Sequence, residues 1–564
     1  MGRGNQMSLQ NSDLLLERAY HWEATRPDDV YLTQPVTSSD VRDFTWRQTL
    51  DEARRMAAHL ISLALPPNSN IAVFGKNSAH WIIADLAIMM AGHVSVPLYA
   101  TLPSDVVRLI LDHSEAKVMF VGKLDVWDEA KAGVPKGLPL ISLPLAPPDS
   151  GTKWEEIVKE TDPIPGSPTR DPDELASILY TSGTTGKPKG VMMSFGAMSN
   201  APYYLTKVRE YSTQERMISY LPLAHCFERC FVECTSLVYG YRLFFARELD
   251  TFIEDVQRAH PTVFVSVPRL WVKFQAGVLA KMPAEKLARL QRIPLLGWYV
   301  RRKVLKGLGL QDCHTAGSGA APLPTEVIQW FRDLGLNLSE GYGMSENFGY
   351  SHVSPRDKAK LGTVGPPAPG VEVKIGEGGE VLVKSPSTMM GYYKEEELTR
   401  EVFTEDGFIR TGDVGQMDDE GYLRITGRIK EIFKTAKGKY IAPAPIENKL
   451  VAHNLVEQAC VTGTGLAQPI ALTMLSPQGR AMANSDQGRD TIQQSLQSLL
   501  AGVNQELESH EKVHCLAVVK EDWAIENGFL TPTMKIKRNV LEDVYQKHYD
   551  NWFAENQPIV WETA

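Results

Sequence analysis

The stretch "SILYTSGTTGKPKG", residues 177–190, sets Thr181, Ser182, Thr184 and Thr185 among Gly183, Gly186 and Gly190, and adds Lys187 and Lys189. Small residues let backbone N–H groups approach an anion, hydroxyls add donors and lysines add charge, so the composition suits a phosphate cradle. A Walker-type loop would need a second glycine before Lys-Ser/Thr and a helix directly after it. Counting from Gly183, Pro188 stands where that glycine belongs, and the "GVMMS" that follows is strand-like. The spacing predicts a hairpin between two strands, gripping phosphate by hydroxyls, amides and lysine. From these residues alone, an ordinary turn stays equally open.

Cys226, Cys230 and Cys234 have the residue type for a metal but not the spacing. On a helix the outer two lie ~12 Å apart, too far for one ion. The expectation is three small buried residues on one helix face. Six cysteines in 564 residues give no disulfide framework, so a reducing, cytoplasmic setting is expected. The formal charge of −9 excludes a general attraction to nucleic acid or anionic lipid, so basic work must be local. The N-terminus lacks an apolar signal core, and Gln6 stands where a myristoylated Gly2 would want Ser or Thr. Residues 86–104 carry no formal charge but are broken by Gly92, His93, Pro97 and Pro103. They read as a helix followed by a strand, with no transmembrane segment. Peripheral membrane contact and a homodimer stay open.

The loop must be held by a scaffold. "NIAVFG", "SAHWIIADLAIMMAGH" and "VSVPLY" read as strand, helix, strand, and "KVMFVG" adds another buried strand, which together indicate an α/β sheet. Frequent prolines between Pro135 and Pro172 predict a surface connection. "RMISYLPL" and "PTVFVSVP" supply further strands and "PTEVIQWFRDLG" a helix. From Glu380 the texture changes to short strands and turns, and a polar helix is expected near 491–510. No solenoid-period repeat occurs. A large α/β body over 1–429 and a small α+β domain over 430–564 are expected to meet near Arg428–Lys430.

"YTSGTTGKPKG" resembles the signature loop of the adenylate-forming (AMP-binding) superfamily. Six further blocks occur in that family's order: "SYLPLAHCFER", "AGSGAAPLP", "EGYGMSEN", "RTGD", "YLRITGRIKEIFKTAKGKYIAP" and "LTPTMKIKR". "LPLAHCFER", "VPRLWVKF" and "LTPTMKIKR" are most similar to the long-chain fatty acyl-CoA synthetase branch. The resemblance implies α/β architecture: a multi-subdomain N-terminal body and a small mobile C-terminal domain. It also implies a ligase that uses ATP and Mg²⁺ to activate a fatty acid as acyl-AMP and passes the acyl group to coenzyme A. The alternative is a fatty acyl-AMP ligase or an acyl-carrier-protein synthetase. A phosphotransferase is disfavoured by the failed Walker spacing.

The roles follow from the same resemblance. A carboxylate and an α-phosphate must meet, which demands concentrated positive charge in a water-poor site. Lys535 aligns with the lysine that bridges those two anions, although relatives commonly carry Gly where Met534 stands. Glu346 is the implied Mg²⁺ ligand, with Thr181 or Thr184 beside the metal; by itself it reads better as a helix-capping glutamate. The nucleotide would touch the loop from Thr181 to Lys187 together with Lys189, a wall of Gly319, Ala320 and Ala321, and the block Glu340, Gly341, Tyr342, Gly343 and Ser345. Tyr342 would offer its flat face to adenine, and Asp413, expected in a turn, would take the ribose hydroxyls with Arg428. His225 is the implied gate or carboxylate-side residue. Lys430 would be the hinge, and Gly438 would let backbone approach the pantetheine, with Lys434, Lys437 and Lys439 near coenzyme A phosphates. Phe195 stands where relatives commonly carry His, with no evident consequence.

Overall fold

The computed structural model describes residues 9–182, 188–356, 358–525, 527–531 and 534–562. Its largest sheet has eight strands, in the order Gly391–Tyr392, Pro188–Ser194, Leu175–Ser182, Val94–Leu98, Asn70–Phe74, Val118–Val121, Leu140–Ser142 and Thr152–Lys153. From Leu175–Ser182 outward the strands run parallel, while Pro188–Ser194 and Gly391–Tyr392 add antiparallel neighbours. A parallel sheet is covered on both faces, so its strands read as unbroken apolar runs. Asn70–Phe74 and Val94–Leu98 are buried throughout, as is every residue of the helix Ala79–Met90. That helix is a core element; none among the described residues is long and apolar enough to cross a membrane.

Two further sheets and a small antiparallel one complete the body. Val263–Ser266, Thr315–Ser318 and Leu338–Tyr342 run parallel, with His352–Val353 antiparallel at the edge. Arg216–Ser219, Arg242–Phe245, Val30–Pro35 and Val41–Thr45 form another four strands. Glu372–Ile375, Glu380–Lys384, Ile409–Met417 and Leu423–Arg428 form an antiparallel meander. After the turn Ile429–Glu431 come the hairpin Phe433–Lys434 with Tyr440–Ile441 and a mixed sheet of Val456–Thr462, Ile470–Leu475, Leu516–Val518 and Ile559–Trp561. Two apolar cores draw only on residues from 433 onward, and the other four only on residues up to 425.

Three local expectations are corrected. The proline-rich connection is not merely surface: Leu140–Ser142 and Thr152–Lys153 extend the large sheet, and Trp154, at the start of the helix Trp154–Glu160, is buried. The late polar helix runs Asp486–Gln505, because Ser485 caps it by accepting from Gly488 N at 3.1 Å. The cysteine segment is buried as expected, but Arg229–Cys234 winds as a π-helix between two short α-turns. Such a wider turn marks functional sites more often than ordinary helix does.

Candidate active site

Asp413 lies not in a turn but inside the strand Ile409–Met417, directly opposite Arg428 in Leu423–Arg428. Strand register therefore fixes the pair. Arg428 Nε donates to Oδ1 at 2.7 Å, and the Tyr342 hydroxyl donates to Oδ2 at 2.6 Å. Only 6% of Asp413 is exposed, yet each carboxylate oxygen keeps a lone pair for another donor. Burial and the adjacent Asp413 charge hold the Tyr342 phenol well above its usual range, so it stays a donor. Its hydroxyl bond fixes the ring's orientation beside the carboxylate.

The glycines of the neighbouring walls are there for space. A Cβ on Gly319 would meet the Phe227 ring at 2.6 Å, and one on Gly343 would meet the carbonyl oxygen of Gly349 at 2.2 Å. On Gly341 the nearest contact would be the His352 carbonyl at 3.3 Å. Ala320 takes a φ of +67° and, with Ala321, is exposed. Glu340 stands behind this surface: its Oε1 accepts from Leu323 N at 2.8 Å, tying the "AAPLP" loop to the strand. Burial pushes its carboxyl up to about 7. Its part is to hold the wall. Ser345 donates to Cys226 Sγ at 3.5 Å, joining the "GYGMSEN" turn to the cysteine segment.

The hairpin predicted for the opening loop is present in its two strands, with Thr181 opposite Lys189 and Ser182 opposite Pro188. Gly183, Thr184, Thr185, Gly186 and Lys187 lie outside the described residues. Around the hairpin's end, Glu346 Oε1 accepts from the Tyr392 hydroxyl at 2.7 Å, and the Lys189 ammonium sits 5.5 Å from the Tyr392 ring centroid. Tyr392 is the residue that sequence reasoning missed; its only signal is a place in "MMGYYK", where no catalytic residue type stands out. Among the described residues no three His, Cys, Asp or Glu side chains gather for a resident metal. One carboxylate with hydroxyls nearby does fit Mg²⁺ carried on a nucleotide's phosphates, which keeps much of its coordination for phosphate and water.

Lys535 reaches this cleft from the C-terminal domain. Leu530 bridges Ile536, Thr531 N donates to Lys535 O at 2.8 Å, and Lys535 N donates to Thr531 Oγ1 at 3.1 Å. Met534, at the bend, takes φ +62°, the left-handed region in which glycine is at ease. By surface area Lys535 is open to solvent, yet crowding by the walls of the cleft lowers its ammonium pKa, helped by Arg428. Cys226, Asp413 and Glu431 act in the opposite direction. His225 feels the same lysine: burial first, then Lys535, push its imidazole down to about 3. Its Nδ1 accepts from Phe227 N at 3.1 Å, which leaves the proton of the neutral ring on Nε2. Electrostatic reach thus joins Lys535, His225, Cys226, Asp413 and Arg428.

The other assigned residues stand apart. Lys430 is exposed in the turn Ile429–Glu431, and Gly438, φ +76°, is exposed at the tip of the hairpin Phe433–Lys434 with Tyr440–Ile441. Phe195 is buried at the start of the helix Phe195–Arg209, beneath the Arg170 guanidinium at 4.8 Å. Beside the cleft a cavity of about 50 Å³ is lined by Phe227, Phe231, Val265 and Gly317, with Arg209 and Ser339 also on its wall. Arg209 donates to Ser339 Oγ at 2.8 Å.

A layered α/β body followed by a small C-terminal domain that bears Lys535 defines the class, and the comparisons agree. The AMP-binding enzyme profile matches residues 19–393, and the AMP-binding enzyme C-terminal domain profile matches 431–557. The chain belongs to the AMP-binding, adenylate-forming family. It is 29% identical to the long-chain-fatty-acid–CoA ligase FadD15 of Mycobacterium bovis, over 94% of this chain and 96% of that protein. It is 30% identical to the peroxisomal long chain acyl-CoA synthetase 6 of Arabidopsis thaliana, over 93% of this chain and 84% of that one. In fold it resembles the adenylation domain of a carboxylate reductase from Mycobacterium chelonae, with TM-score 0.79, 23% identity and coverage of 98% and 92%. It likewise resembles an anthranilate CoA ligase in complex with anthranoyl-AMP, with TM-score 0.77, 18% identity and coverage of 96% and 100%.

Proposed function

We propose that this enzyme is an ATP-dependent fatty acid–CoA ligase acting on long-chain acids. The observation that best supports the reading is the mutual electrostatic influence of Lys535 with His225, Arg428 and Asp413, residues drawn from both ends of the chain. In the first step a fatty carboxylate oxygen attacks the α-phosphorus of ATP, the bond to the β-phosphate bridge breaks, and pyrophosphate leaves. Asp413 and Arg428 hold the ribose, the Gly319–Ala321 wall and Tyr342 flank the base, and Lys535 lies between the two approaching anions. A positive charge held at that point stabilises the negative charge that develops as they meet. Glu346 and Thr181 or Thr184 would hold Mg²⁺, which neutralises phosphate charge when bound. Neutral His225 donates from Nε2 without adding a competing cation.

In the second step the sulfur of coenzyme A attacks the acyl carbonyl, its proton departs, and AMP leaves. Lys535 occupies the route that a thiol needs, so the small domain must turn about Lys430. The Gly438 hairpin, with Lys434, Lys437 and Lys439, then replaces it. The relatives named as long-chain acyl-CoA ligases support this acceptor and this acyl class. Pyrophosphate release over fatty acids of graded length, with and without coenzyme A, tests the proposal. Expected are sustained turnover only with coenzyme A, equal AMP and acyl-CoA, and a preference for long chains. Turnover indifferent to coenzyme A, or release of ADP, would contradict it.

A further inference from the structure

The helices Ala284–Gln291 and Pro294–Gly307 pack together and bury little: only Leu287, Gly297 and Val300 are withdrawn from solvent. Leu295 is 87% exposed, Tyr299 57% and Trp298 56%, with Ile293 and Leu296 exposed beside them. Five large apolar side chains within seven residues form an unusual cluster for a soluble surface. Around them stand Lys281, Lys286, Arg289, Arg292, Arg301, Arg302, Lys303 and Lys306, against the single acid Glu285, in a chain whose net charge is −9. None of these eight cations forms an ion pair with a described residue. The Arg302 guanidinium instead lies over the Trp298 ring at 5.5 Å.

We propose that this helical pair docks the enzyme on an anionic lipid bilayer. Leu295, Leu296 and Trp298 enter the boundary between headgroups and acyl chains, Tyr299 sits at headgroup level, and the flanking cations meet lipid phosphates. Each feature matches that interface: aromatic rings with polar tips, aliphatic side chains between them, and long basic side chains that extend charge outward. A protein partner fits less well, since lysine is depleted at protein interfaces. A second copy is opposed by charge, because a two-fold contact would press the same eight cations against each other. The purpose rests on the fatty-acyl reading, since a bilayer stores such acids; the binding itself does not.

Vesicle co-sedimentation of the full chain, without ATP, acid or coenzyme A, tests it. Vesicles of phosphatidylglycerol mixed with phosphatidylcholine should bind the protein at least ~10-fold better than phosphatidylcholine alone, and salt should weaken the binding. Leu295→Asp with Trp298→Asp, and separately Arg301→Gln with Arg302→Gln and Lys303→Gln, should each cost ~10-fold or more. Their turnover of a water-soluble short-chain acid should equal wild type, as a check on folding. Failure of wild type to bind anionic vesicles, unchanged binding by both variants, or a wild-type dimer that the variants dissolve would overturn the proposal. A protein that ligates but ignores vesicles refutes this surface alone; one that binds vesicles but does not ligate refutes the function alone.

Discussion

At the scale of single residues, Asp413 is legible in part. "RTGD" identifies it through resemblance, while its place in a strand and the Arg428 and Tyr342 bonds come from pairing that no linear spacing reveals. Asp413→Ala should raise the KM for ATP at least ~10-fold with a smaller effect on the acid, because two charge-assisted ribose hydrogen bonds are lost. Initial rates over an ATP series would show it; an unchanged KM would leave the carboxylate structural. Met534 makes a second case. A methionine departs from the family pattern, and the left-handed φ explains the glycine elsewhere, since an L-residue there costs about 1–2 kcal/mol. Met534→Gly should keep or raise the adenylation rate, whereas Met534→Val, branched at Cβ, should lower it about tenfold with the fold intact. Equal rates for all three would contradict the strained bend.

Among the elements, the parallel sheet and its buried helix are legible because apolar runs and periodicity are local. The strands Leu140–Ser142 and Thr152–Lys153 are not, since two or three residues carry no period and only a neighbouring sheet edge recruits them. The π-helix Arg229–Cys234 is likewise hidden. Its first residue is wholly buried, with Nη2 at 2.6 Å from Asp85 Oδ2 and the guanidinium 5.2 Å from the Trp81 ring centroid. That pair ties the helix Ala79–Met90 to the segment that presents His225, Cys226 and Phe227 to the cleft. Asp85→Ala removes the shorter of two carboxylate contacts to this buried cation, leaving Glu233 Oε2 at 3.6 Å from its Nε, and should cost about 3 kcal/mol, the lower end for breaking a buried pair. Denaturant titration would read this; a loss under about 1 kcal/mol would mean that the pair does not anchor the segment.

For the whole molecule, domain placement was suggested by sequence texture, but the approach of Lys535 to His225 spans 310 positions and only the folded chain brings them together. Buried titratable groups also give the molecule a pH signature. His225 and His352 are both pushed down to about 3, chiefly by burial, so the unfolded chain binds more protons below pH 6.5 and stability falls toward acid. Burial raises Glu228 to about 8 and Glu340 to about 7, so the folded chain holds extra protons above pH 4.5 and stability falls as pH rises. Between about pH 4.5 and 6.5 the two trends oppose each other. Thermal melts should therefore peak in that window, and Glu228→Gln should flatten the decline between pH 6.5 and 8. A decline of the same steepness in the variant would remove Glu228 as its source.

The two-step chemistry itself is tested most directly by assaying Lys535→Ala in each half-reaction. Acyl-AMP formation, followed as pyrophosphate release in a single turnover, should fall by ~10²-fold or more, the scale on which loss of a group that stabilises transition-state charge is felt. Attack of coenzyme A on supplied acyl-AMP should stay within a few-fold of wild type. Equal loss in both half-reactions, or none in the first, would contradict the role given to this lysine and, with it, the reading of the cleft.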